Sequence, residues 1–317
     1  MSTLTLAVWL FLWYNEVYIG FLRGDFMDVK NIYYRFLHKT YKFKFFVAKH
    51  FTHRDWKVAL NKNKALEGIH NGKRCFILGN GPSLKTEDLK LLENEFVFSV
   101  NQIARHEDFE YIKPNYHFWA DPNFFNIDES KPEDLELLEV MKKVNTSDNI
   151  PRCFFPIEQK NFVEKFGLDK TLDVNYFASA MFFYEGYNGK IDYTDFVLGF
   201  GTVVQWCITM AIYMGFSEIY LLGCDNTGIL TTIKAILKMN DETDYAYNIT
   251  ENEKKRMELL HSTQPLEQAV NSYLETLKGY RYVFEYCKKR SIKLVNCSST
   301  TVIDSIPRDS LQNVLKK

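Results

Sequence analysis

From Lys73 onward the chain alternates short apolar runs with stretches of helical periodicity. Arg74 to Leu78 (RCFIL), Phe96 to Val100 (FVFSV), Tyr116 to Ala120 (YHFWA) and Arg152 to Phe155 (RCFF) are continuous rather than alternating in their apolarity. Short runs of this kind predict strands covered on both faces, as in a parallel sheet between helices. Thr86-Glu87-Asp88-Leu89 opens a short helix, and Pro132 to Val144 predicts a longer one. Gly201 to Phe216 is almost wholly apolar. It falls short of the roughly 20 residues that a membrane span needs, so it predicts a core helix. Glu218 to Gly223 predicts a further strand, Pro265 to Arg290 a final helix and Ile292 to Cys297 the last strand. Residues 224–265 are polar, with charged helical stretches and no strand signal, which predicts a lid. The pattern gives an α/β domain over 71–317, its lid at 224–265, and an N-terminal extension over 1–70.

The extension has its own character. Leu6 to Tyr14 is an apolar run, interrupted by Asn15 and Glu16 before a second run from Val17 to Leu22. Residues 4–22 just reach spanning length, with Glu16 near the middle. No basic segment precedes the run and no small-residue cleavage site follows, which argues against a secretory signal. Met27 is an alternative start that would remove residues 1–26. Lys30 to Lys64 then carries ten Lys or Arg, nine aromatics and the single acid Asp55. Interleaved cations and rings suit an anionic membrane surface. A basic helical hairpin packed on the catalytic domain is the competing reading. The expectation is a cytoplasmic, peripherally membrane-associated protein, or one with a single N-terminal anchor if residues 4–22 span.

Composition excludes some classes. The chain has 317 residues, 46% of them hydrophobic, and can bury a sizeable core. A formal charge of −1 gives no global field toward nucleic acid. Six cysteines without a C-x-x-C pair read as buried free thiols.

The chemistry concentrates where strands end. Gly79-Asn80-Gly81-Pro82-Ser83-Leu84 follows the first strand and precedes helical sequence, the place of a phosphate or nucleotide loop. It matches neither the dinucleotide fingerprint nor a P-loop, and a tight structural turn is nearly as good an account. Asn101 ends the second strand, Asp121 the third, and Asp225 follows the Gly223 strand. Gly201-Thr202 opens the apolar helix as a second anion site. These positions converge on one sheet edge, where open α/β sheets bind ligands.

GNGPSL after a strand, then VNQ, ADP and FGTVVQWCITMAIYMGFSEIYLLGCD, resembles the family 42 bacterial sialyltransferases. It also resembles the wider group of motility-associated flagellin glycosyltransferases and MptE-like pterin pyrophosphokinases. The resemblance covers roughly residues 73–126 and 198–300. It implies a Rossmann-like fold, a GT-A-like sialyltransferase variant, with CMP in the loops. Gly79, Asn80, Gly81, Ser83 and Asn101 would then contact phosphate and ribose, and Gly201, Thr202 and Asp225 would line the cytidine side. Tyr245 and Tyr247 lie where the family's lid tyrosines donate to the departing phosphate. His261 lies in the interval of the family's base, about ten residues further from the last strand than the pattern places it. Asp121 is the substitute base, and His117 is a core residue.

The implied function is metal-independent, inverting transfer of a sialic-type nonulosonic acid from a CMP donor to a glycan acceptor. No cofactor, no metal and no nucleic acid are expected. The chain has no D-x-D, which suits a leaving group with a single phosphate. The oligomeric state stays open, a homo-oligomer included. Two alternatives stand beside this reading: an MptE-like, Mg²⁺-dependent pyrophosphokinase, and a non-catalytic, membrane-attached nucleotide-binding module.

Overall fold

The computed structural model describes residues 29–146, 149–237, 239, 245–262 and 265–316. Eight strands form one sheet: β1 Arg74–Leu78, β2 Phe96–Val100, β3 Tyr116–Phe118, β4 Arg152–Pro156, β5 Asp173–Phe182, β6 Phe196–Gly199, β7 Glu218–Leu222 and β8 Lys293–Asn296. The helices are α1 Val29–Val47, α2 Arg54–Asn61, α3 Phe109–Ile112, α4 Pro132–Lys142, α5 Lys160–Lys165, α6 Val203–Tyr213, α7 Gly228–Ile236, α8 Glu251–Ser262, α9 Leu266–Lys288 and α10 Leu311–Leu315. The strand order is β6-β5-β4-β3-β2-β1-β7-β8, and every pairing is parallel.

This order creates the site. From β1 the chain steps outward strand by strand to β6. Helix α6 then carries it back across the sheet to β7, on the other side of β1. The connections after β1 and β7 therefore leave in opposite directions, which opens a crevice at their carboxyl ends. Leu78 is in register with both Ser99 of β2 and Leu222 of β7, so the loops after all three strands emerge at one level.

Helix α6 lies on β1 and β2, with Cys207, Ile208, Met210 and Ala211 buried. Helix α9 packs on α6 and β8. The two helices approach closely at Gly279, where a Cβ would lie 2.7 Å from the Gln205 amide nitrogen. That nitrogen donates to the Thr276 carbonyl at 2.8 Å. Helices α1 and α2 pack on β5, and α4 packs on α8. All six cysteines are buried free thiols.

Three expectations need correction. Strands β5 and β6 gave no recognised run: β5 carries the polar Asp173, Asn175 and Ser179, and β6 has only four residues. Asn175 is accommodated because its amide nitrogen donates to Asn63 Oδ1 at 2.7 Å. Asn63 in turn donates to the carbonyls of Tyr176 and Tyr193. The helix expected from Thr86 is instead a pair of 3₁₀ turns, Pro82–Thr86 and Leu89–Leu92, the second capped by the Asp88 carboxylate. Strand β3 stops at Phe118, two residues short of Ala120. Among the described residues no helix is long and apolar enough to cross a membrane. The apolar runs between Leu6 and Leu22 lie outside the described residues.

Candidate functional site

The carboxyl ends of β1, β2 and β7 open onto a cleft of about 210 Å³. Its walls are the Gly79–Pro82 loop, Val100 and Asn101, the start of α6 from Thr202 to Val204, the turn from Gly223 into α7, and Tyr245 and Tyr280.

The glycine loop is held against the turn after β7. Gly79 N–H donates to Leu222 O and Gly81 N–H to Gly223 O, both at 2.8 Å. A Cβ on Gly79 would sit 2.3 Å from the Gly223 carbonyl, and one on Gly81 would sit 2.5 Å from the Asp225 carboxyl carbon. Both positions need glycine because two backbones touch there. Ser83 donates to Asp225 twice, from its backbone N–H at 2.8 Å and from its hydroxyl. Both residues are buried. The loop was expected to present its amides to phosphate, and Ser83 and Asp225 to face the nucleotide. The structure turns these groups to one another and to β7, because the two turns cross at van der Waals distance.

Two helix starts border the cleft. The first N–H groups of α6 and α7 have no partner within their own helices. Thr202 precedes α6 without capping it by its side chain, and Gly228 and Thr231 bring the start of α7 to the opposite wall. Gly201 itself faces away from the cleft: a Cβ there would lie 2.3 Å from Thr276 Oγ1 of α9.

Acceptors gather on the β1–β2 side. Asn80 donates its amide to the Val100 carbonyl at 3.2 Å, which leaves its Oδ1 buried and without a partner. Asn101 Oδ1 is likewise buried and unpartnered. Asn101 and Asn226 both adopt left-handed backbone, at φ 50° and 57°. Asparagine tolerates that region better than most residues, and such conformations concentrate at ligand sites. Asn226 Nδ2 is an unpartnered buried donor. Buried polar atoms of this kind call for a ligand or water.

The segment from Tyr245 to Tyr247 is pinned to this loop, because Ala246 N–H donates to the Asn80 carbonyl at 3.0 Å. Tyr245 and Tyr247 stack with ring centroids 5.7 Å apart. Only Tyr245 lines the cleft, while Tyr247 is buried behind it. Burial pushes the Tyr245 phenol up to about 12, and the Glu253 and Asp121 charges add to the effect. Tyr245 is therefore a neutral hydroxyl at physiological pH.

Sequence reasoning missed what lies behind the tyrosines. Arg105 pairs with Glu136 at 2.6 Å and lies 3.9 Å from Glu253. Gln102 donates to Glu253. Thr250 and Asn252 donate to Glu136, tying the start of α8 to α4. Burial raises the Glu253 carboxyl above its ordinary value. These residues are far apart in sequence, and no spacing links them.

Asp121 sits just beyond β3, where its carboxylate accepts the Asn123 N–H at 2.9 Å and its charge reaches Tyr245. His261 falls in α8, but its side chain lies outside the described residues. His117 is fully buried in β3 with Nδ1 2.8 Å from the Ser99 hydroxyl. Among the described residues no group of three His, Cys, Asp or Glu is placed to hold a metal ion.

A second, more open cleft of about 520 Å³ adjoins the first at the β6–α6 turn. It is lined by Gly201, the exposed Phe182 ring, and Glu267, Gln268, Asn271 and Glu275 of α9.

Comparison with solved structures finds the MAf glycosyltransferase from Magnetospirillum magneticum AMB-1, at 17% identity and a TM-score of 0.44. The alignment covers 83% of this chain and 39% of that one, so the chain spans about two fifths of that protein's length. No curated protein matches the chain. A family model described as 6-hydroxymethylpterin diphosphokinase MptE-like matches residues 48–227, from the π-helical turn after α1 to the turn after β7. That match takes in more than half of the sequence and most of the cleft's walls, and the chain belongs to the MptE-like family.

Proposed function

We propose that the protein is a glycosyltransferase that moves a sugar from a nucleoside-monophosphate donor, a CMP-linked nonulosonic acid, to a glycan hydroxyl. The observation that carries this reading is the division of the cleft. Donors lie on the α6–α7 side, where Asn226 Nδ2 is unpartnered, acceptors without partners lie at Asn80 and Asn101, and Tyr245 lines the cleft next to Asn80. A single phosphate fits between the two helix starts, which favour anions without a cation. Ribose and base fit on the asparagine side, offering hydroxyl and amino donors to Oδ1 atoms. This exchanges the two halves relative to the family resemblance.

In the reaction the acceptor oxygen attacks the anomeric carbon and the bond to the phosphate oxygen breaks. The phosphate leaves as CMP, and the neutral Tyr245 hydroxyl donates to the charge that develops on it. The acceptor proton passes to the Asp121 carboxylate, with His261 as the competing base. The adjoining cleft offers an aromatic face, amides and carboxylates, which suits the hydroxyls of a sugar acceptor.

The family's description favours a second reading, pyrophosphoryl transfer to a pterin. That chemistry needs Mg²⁺ held by carboxylates near the phosphates. Asp225, the carboxylate nearest the glycine loop, is engaged by Ser83. Calorimetric titration with CMP, UMP, GDP and ATP, with and without Mg²⁺, separates the two. CMP binding that ignores EDTA supports glycosyl transfer. ATP binding that requires Mg²⁺, with CMP silent, replaces it with phosphotransfer.

A further inference from the structure

Helix α1 is apolar on two faces, and the domain uses one. Toward the domain, Tyr34 stacks on Tyr184 at 5.3 Å, Phe45 packs edge-on against Phe196, and Lys49 donates to the Thr194 carbonyl. Phe43 lies two positions before Phe45 and so points about 200° away around the helix. Phe43, Phe46 and Val47 share that outer face by their spacing of three and four. Phe43 is 68% exposed, Phe46 53%, and Phe51 in the following turn 68%. Exposed rings in one stretch are unusual, because a soluble surface rarely leaves contiguous large apolar side chains in water.

The charges around them have one sign. Lys42, Lys44, Arg54 and Lys57 are exposed on the same α1–α2 unit. The one acid between Val29 and Lys64 is Asp55, which is paired with Lys160 at 3.0 Å. A second copy of this chain would bring like charges together on this face. An anionic lipid surface meets the cations with headgroup phosphates and receives the rings at the acyl boundary.

We infer that the outer face of α1 and α2, built on Phe43, Phe46 and Phe51 with Lys44, Arg54 and Lys57, docks the protein on an anionic membrane. The inference rests on this surface alone and holds whichever transfer reaction the cleft performs. The test uses the full-length protein in co-sedimentation with phosphatidylcholine vesicles, with and without phosphatidylserine. The wild type binds the anionic vesicles, more weakly as salt rises. A Phe43→Ser, Phe46→Ser, Phe51→Ser variant, and separately Lys44→Glu, Arg54→Glu, Lys57→Glu, bind about tenfold or more weakly. Circular dichroism and thermal unfolding check that both variants keep their fold, since these side chains point away from the domain. The inference is overturned if wild type and variants bind alike, if neutral vesicles bind as well as anionic ones, or if nothing binds. It is equally overturned if sedimentation velocity shows that the face holds a dimer which the serine variant dissolves.

Discussion

His117 makes the fold acid-sensitive in a way that can be worked out from its surroundings. The imidazole is fully buried in β3, with the Ser99 hydroxyl on Nδ1 and no partner on Nε2. Burial lowers it from 6.5 to about 3. The unfolded chain then binds a proton that the folded chain refuses, so stability is intact above pH 6.5 and is lost as pH falls toward 3. The slope is about 1.4 kcal/mol per pH unit. One and a half units below the unfolded value, near pH 5, the loss is about 2 kcal/mol. Urea unfolding of wild type and His117→Asn across pH 7 to 5 measures it. The variant loses that slope, while the other histidines act on both proteins and cancel in the difference. Parallel curves for the two proteins would refute the reasoning.

Three further perturbations test the site. Gly79→Ala drives a Cβ to 2.3 Å from the Gly223 carbonyl, backbone against backbone. It should lower stability by about 1–3 kcal/mol and abolish nucleotide binding, and an unchanged calorimetric affinity would show that the two turns need not touch. Tyr245→Phe should lower kcat by about 10²–10³ with nucleotide affinity little changed, the loss of one preorganised donor. Tyr247→Phe, behind it, should do much less, and equal losses would remove the assignment. Arg105→Ala leaves Glu136 without its ion-pair partner and Glu253 with Arg256 as its remaining cation, and should cost about 1–3 kcal/mol. Hydrogen exchange should quicken first in α8, and uniform exchange would mean that the cluster does not anchor α8 on α4.

How much was legible depends on whether the relevant physics is local. Strands β1, β2, β4 and β7 were readable because both faces of each are covered, which forces a continuous apolar run. Helix α6 was readable for the same reason. The edge that carries the cleft followed, since glycine and asparagine at strand ends mark where backbone turns sharply. Strand β5 was hidden because Asn175 is satisfied by Asn63, more than a hundred residues away. Likewise, sequence placed the basic, aromatic stretch of α1 but not which rings face the domain, since Phe43 and Phe45 differ only in which side of the helix they occupy.

The sequence by itself determined the α/β class, the strand-by-strand rhythm and the neighbourhood of the site, because burial and turn chemistry are written in short windows. Tertiary structure decided what each site residue does. Ser83 and Asp225 read as ligand contacts until two turns distant in sequence are brought together and satisfy one another. The starts of α6 and α7 come to one cleft only because the chain crosses from β6 back to β7. The Arg105–Glu136–Glu253 cluster that ties α8 to α4 exists only once the two helices pack. Hydrogen bonds and ion pairs between distant segments have no period, so only the fold can disclose them.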